Sequence, residues 1–200
     1  MGSKGMNEQI EELLLQALET ERGGIQIYEA AIAAAHNDDL REEWQEYLEE
    51  TRHHEEVLTG VFEKLGLDTG KKSPGRKVVA MLGESLVEAI ETARRTASPE
   101  AAELVATECV VLAETKDHQN WELIGRVGEQ GGMVGKVLKE AYEEVEQDED
   151  HHLYHTRGWS RELWIQSLGM PAVLPPPEEV RKVETAIGAA RAEQAREDMT

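Results

Sequence analysis

Apolar positions recur along the chain in alternating steps of four and three, the period of a helix that buries one stripe against neighbouring helices. The first such seam, Leu14, Leu18, Glu21, Ile25, Tyr28, Ile32, predicts a helix over about 7–35. The turn and capping residues "HNDD" (36–39) end it, and a second helix follows over about 39–65, stopping at Gly66. A connection that short makes the two helices antiparallel neighbours. "GLDTGKKSPG" (66–75) reads as a loop, and a helix over about 76–96 comes next. "SPE" (98–100) caps a further helix to about 127, "GEQGG" turns the chain, and another helix covers about 132–155.

Strand-like alternation is absent, so the predicted fold is all-α. Residues 1–6 are read as a disordered end and 7–156 as a four-helix bundle with the helix at 76–96 as its crossover. A helix of that size reaches about 30 Å, enough to return the chain along a bundle. Residues 157–200 form a C-terminal extension: a short Trp-bearing helix over 157–169, the extended linker "MPAVLPPP", and a weakly amphipathic charged helix.

The two long hairpins resemble each other. "TERGGIQIYEA" (20–30) aligns with "AETKDHQNWEL" (113–123), setting Glu21 on Glu114, Gln26 on Gln119 and Tyr28 on Trp121. "EETRH" (49–53) aligns with "DEDHH" (148–152), setting Glu50 on Glu149 and His53 on His152. Asp148 and His151 share the same three-residue spacing. Glu149 and His152 are preferred because they continue the Leu138, Val145 stripe.

Glu21 and Glu114 interrupt otherwise apolar seams, and all four glutamates fall at similar heights relative to their turns. Packing the hairpins together gathers four carboxylates and two imidazoles in one core. Ionised and unpaired, they would repel one another and lose their hydration, and bound divalent cations remove both objections. Two ions bridged by carboxylate suit this donor set, with iron or manganese favoured over a lone structural zinc. His118 sits on the seam where the first helix has Ile25, as an extra ligand or a neighbour of the site. Tyr28 and Trp121 are core aromatics beside it, and His54, His151 and His155 are read as surface or peripheral residues.

Composition narrows the function classes. The 200 residues carry 41 acidic and 21 basic side chains, a formal net charge of −20. That excludes a nucleic-acid partner of the usual basic kind. The single cysteine, Cys109, excludes disulfide frameworks and Cys-rich metal sites, and a reduced cytoplasmic thiol is expected. No apolar run has the length of a membrane span, and no signal-like segment opens the chain.

One Glu from each of two helices and Glu-x-x-His from each of the other two is the arrangement of di-metal carboxylate bundles. On these residues the chain resembles the ferritin-like superfamily over about 7–65 and 100–155: ferritins, bacterioferritins, rubrerythrins and their small stress-associated relatives. The resemblance implies Glu21, Glu50, His53, Glu114, Glu149 and His152 as ligands and catalytic groups for two iron ions. It also implies reaction of Fe(II) with dioxygen or peroxide, as in a ferroxidase. The chain departs from the family in its crossover helix, in His118 and in its C-terminal extension. Alternatives are an oxygenase or oxidase with an organic substrate, and a stress-associated protein with a structural metal. The expected partners are metal ions, dioxygen or peroxide and a second copy of the chain in a homodimer, with no nucleic acid and no membrane.

Overall fold

The structure is a computed structural model and describes residues 7–179 together with 191, 194 and 195. Five helices follow one another: α1 (Glu8–Ala34), α2 (Asp38–Leu65), α3 (Pro74–Thr96), α4 (Pro99–Gly128) and α5 (Gly132–Ser167). No strand occurs among the described residues, and no helix among them is long and apolar enough to cross a membrane.

Capping chemistry sets most of the boundaries. Asn7, Asn37, Ser73 and Ser98 each accept a backbone N–H of the first turn they precede. Pro74 and Pro99 occupy the first helical position, where no N–H is needed. Gly66 ends α2 in the left-handed region at φ 67°, a conformation a side chain would penalise.

α1 packs on α2 and α4, and α5 packs on α2 and α4, so these four close a ring. Arg22 with Glu55 and Arg52 with Glu29 make α1 and α2 antiparallel. Trp121 with Glu21 and Tyr28 with Glu114 do the same for α1 and α4. α3 lies against α1 and α4 and runs parallel to α1, as Ser73 with Glu12 and Arg76 with Glu19 require. It carries the chain back along the bundle, so α4 descends beside α1. Gly23 and Gly83 face each other where α1 and α3 meet; a Cβ on Gly83 would sit 3.5 Å from the Gly23 Cα.

The core has two apolar layers. One holds Leu14, Leu18, Leu58, Phe62, Trp121, Ile124, Leu138 and Val145. The other holds Ile27, Tyr28, Ala31, Trp44, Tyr47, Ile90, Val110 and Trp159. Each fully buried side chain of this size stabilises the fold by about 1.5–3 kcal/mol relative to exposure. Between the layers lies a band of charged and polar side chains.

One boundary differs from the sequence reading. α5 does not stop near 155 to leave a separate Trp-bearing helix; it continues to Ser167. The buried stripe His152, His155, Trp159, Leu163 stays in helical register through Gly158, so the helix keeps its inward face. Gly158 is a site of close approach: a Cβ there would lie 3.1 Å from Glu179 Oε1 and 3.4 Å from Pro176. Residues 171–179 return along α5 without helix, held by Val173 N–H donating to Glu162 and by Arg161 paired with buried Glu179. The predicted disordered end at 1–6 and all of the charged C-terminal helix except Arg191, Gln194 and Ala195 lie outside the described residues.

Candidate metal centre

The polar band contains Glu21 from α1, His54 from α2, Glu114 and Asp117 from α4, and Glu149 and His152 from α5. Each is at most 4% exposed. Two groups of ligand atoms lie within 4.8 Å of one another: His54, Glu149 and His152, and Glu21, Asp117 and Glu149. Glu149 belongs to both.

The two aromatics of the aligned hairpins hold each other's glutamates. Trp121 of α4 donates its indole N–H to Glu21 Oε1 of α1 at 2.7 Å. Tyr28 of α1 donates its hydroxyl to Glu114 Oε1 of α4 at 2.8 Å. The histidines follow the same reciprocal rule. Glu50 of α2 lies 2.7 Å from His152 Nε2 of α5, and Asp148 of α5 lies 3.4 Å from His54 Nε2 of α2. The outer nitrogen of each ring thus faces a carboxylate at the edge of the bundle, leaving Nδ1 for the interior. His54 Nδ1 is 2.9 Å from Glu149 Oε1, and His152 Nδ1 is 3.8 Å from Glu114 Oε2.

Among the described residues, Glu21 Oε2, Glu114 Oε2, Asp117 Oδ1, Glu149 Oε2 and His54 Nδ1 are buried without a hydrogen-bond partner. Buried polar atoms are normally satisfied, and orphans cost roughly 1–3 kcal/mol each. His54 Nδ1 and Glu149 Oε1 approach closely without hydrogen-bond geometry. Two lone pairs aimed at a common cation would arrange themselves this way. Oxygen and imidazole donors of this kind fit iron or manganese, and a carboxylate orienting each ligating imidazole is the usual support for a metal site.

Electrostatics of the metal-free cluster agree. Burial, then Asp117, holds Glu21 well above the ordinary carboxylate range, and burial with Asp117 and Glu114 does the same for Glu149. Burial and Asp117 raise Glu114 to about 8, and burial raises Asp117 to about 7. Burial, then His54, keeps His152 well below its ordinary value, so its ring is neutral. Burial opposes charge on His54, but Asp148, Glu21 and Asp117 outweigh it and raise the group.

The cluster differs from the sequence reading in three places. His53 faces outward, half exposed, and pairs with Glu144 at 3.1 Å; His54 takes the inner position. The seam of α2 runs Trp44, Tyr47, Thr51, His54, Leu58, Val61 in steps of three and four, and the large aromatics fix that frame. Glu50 stands at the edge, 30% exposed, touching His152 from outside. His118 is apart from the cluster, bonded to Asp150 at 2.7 Å beside Tyr154. Sequence reasoning also missed Asp117, whose signal was available: it follows Glu114 by three, as His152 follows Glu149. Aligning "ETRHH" (50–54) with "DEDHH" (148–152) puts His54 on His152 and Glu50 on Asp148, and it leaves Thr51 where the second hairpin has Glu149.

No family model, no curated protein and no solved structure matches the chain.

Proposed function

We propose that the chain is a ferritin-like di-iron protein that binds two Fe(II) and oxidises them with dioxygen or peroxide. The observation that carries this reading is the set of six buried donor groups, one or two from each helix of the ring, five of them with an unpartnered ligand atom and five of them gathered in two close groups that share Glu149. Glu149 reaches both ligand groups and would be shared. Glu21 and Asp117 would complete one position, and His54 and His152 the other, with Glu114 alongside.

Two Fe(II) bound there would supply the electrons that reduce the oxidant. The chain's own groups do the rest. Trp121 and Tyr28 fix one oxygen each of Glu21 and Glu114, leaving the second oxygen free to bind. Glu50 and Asp148 hold the imidazoles by Nε2 so that Nδ1 points inward. Protons held by Glu114 and Asp117 near neutral pH leave as cations enter, which makes loading release acid. The apolar layers on either side keep bulk water from the pair.

The test is anaerobic Fe(II) titration of the full chain followed by oxygen. Saturable oxidation at about two irons per chain, lost in Glu149→Ala, is expected. Oxidation that does not saturate, or that is equal in wild type and Glu149→Ala, overturns the reading. Saturable binding of two metal ions without any oxidation would leave a structural metal role in its place.

A further inference from the structure

Outside the buried cluster, His151, His155 and Glu178 bring one ligand atom each to within 4.8 Å of one another. His151 and His155 are separated by one helical turn on α5, and their rings stack at 5.3 Å. His151 Nε2 lies 2.5 Å from Glu178 Oε1. His155 is 4% exposed, and its Nδ1 has no hydrogen-bond partner among the described residues.

Glu178 reaches this point because the returning segment is anchored on either side of it. Arg161 holds Glu179 at 2.9 Å, and the bare Gly158 admits Pro176 and Glu179 against the helix. The carboxylate is therefore placed by contacts that do not involve the histidines. Glu43 faces His155 Nε2 at 3.4 Å and takes hydrogen bonds from Tyr47 and Trp159, so it supports the ring from the opposite side.

We propose that His151, His155 and Glu178 form a second, outer site for a divalent transition-metal ion, built jointly by α5 and the returning C-terminal segment. Two imidazoles and one carboxylate with open positions facing solvent suit borderline divalent ions and not calcium or magnesium, which prefer all-oxygen shells. The site does not depend on the buried pair and binds its ion whether or not that pair is loaded. Tyr47 links the two regions, bonding His151 at 3.3 Å and packing on the ring of His152 at 4.3 Å. The outer ion would thus sit beside the edge at which Glu50 meets the buried cluster.

Co(II) is the probe, because its visible absorption reports imidazole ligation. The metal-free full chain is titrated alongside His151→Ala, Glu178→Ala and Glu149→Gln. Both outer variants alter partly exposed side chains and should melt as the wild type does. The expected result is one fewer Co(II) per chain in each outer variant, or at least a tenfold loss of affinity for that ion, with the outer ion retained in Glu149→Gln. Equal stoichiometry and affinity in the wild type and both outer variants overturns the proposal, as does a wild type that binds no Co(II). Failure of the buried site alone leaves a different pattern: one ion in the wild type, one in Glu149→Gln and none in the outer variants.

Discussion

His53 and His54 are adjacent in sequence and point about 100° apart around α2: His54 has no exposed surface and meets Glu149, while His53 is half exposed and meets Glu144 at the rim of the same helix pair. The helical rotation between neighbours decides which one belongs to the core. His54→Ala should lower metal affinity by at least the roughly 10-fold to 100-fold that losing a residue supporting a ligand costs, since it removes a donor from the buried group. His53→Ala should bind metal like the wild type, because exposed pairs of this kind contribute about 0–1 kcal/mol to stability and nothing to the cluster. Parallel titrations of the two variants check this, and the reverse ranking would restore the frame first read from the sequence.

Metal loading should stabilise the fold strongly. A ligand that binds only the folded chain at a hundredfold excess over its Kd adds about 2.7 kcal/mol per site. For a chain of this size each kcal/mol raises Tm by about 2–4 °C. Thermal melts with and without Fe(II) or Mn(II) under anaerobic conditions measure the shift, and coincident curves would mean no ion joins these groups.

The metal-free protein should lose stability as pH rises from about 4.5 to 8. Glu114 near 8 and Asp117 near 7 bind protons more tightly folded than unfolded, so their contribution is complete below their ordinary values of 4.5 and 3.8, shrinks as pH rises above those, and is gone once pH passes the raised values. His54, also raised, acts in the same direction. His152 is lowered and acts oppositely, but only below its ordinary value of about 6.5. Melts of chelator-treated protein across this window should fall by several degrees, and the metal-loaded protein should show a smaller decline because cations stand in for the lost protons.

Two helical glycines, Gly128 at the end of α4 and Gly60 inside α2, should respond to alanine with opposite signs. A Cβ at Gly128 would lie 2.9 Å from the Lys139 backbone, so the α4 to α5 hairpin would be pushed apart. Overpacking of that kind costs about 1–3 kcal/mol and exceeds the helix-propensity gain of about 1 kcal/mol. Gly60 has nothing within 4 Å of such a Cβ, and Gly60→Ala should stabilise by about 0.5–1 kcal/mol. Urea denaturation of both variants separates the two effects.

Much of the fold could be read in advance because local chemistry marked it. Asn37, Gly66 and Pro99 end or begin helices by mechanisms confined to a few residues. Glu21 and Glu114 stood out because they interrupt apolar seams, and both are buried. The frame of α2 was misread because Glu50 and His53 matched a familiar spacing, while Trp44, Tyr47 and Leu58 carried the larger burial energy and set the rotation. The end of α5 was misplaced for a related reason. Gly158 looks like a breaker in isolation, and only the returning segment, distant in sequence, explains its place inside a helix.

The position of α3 gives the bundle a front and a back. It lies against α1 and α4, closing the side next to Glu21 and Asp117. On the opposite side α2 meets α5 through polar rungs, Glu43 with His155, Tyr47 with His151 and Glu50 with His152. Were ions to bind as proposed, one entering between α2 and α5 would meet His54 and His152 before Glu21 and Asp117, so the doorstep position would fill first and the far one second. The reciprocal pairing of the hairpins makes the two berths look equivalent, yet entry from the α2 and α5 side would make them sequential, and the far ion would depart only after its neighbour had moved aside.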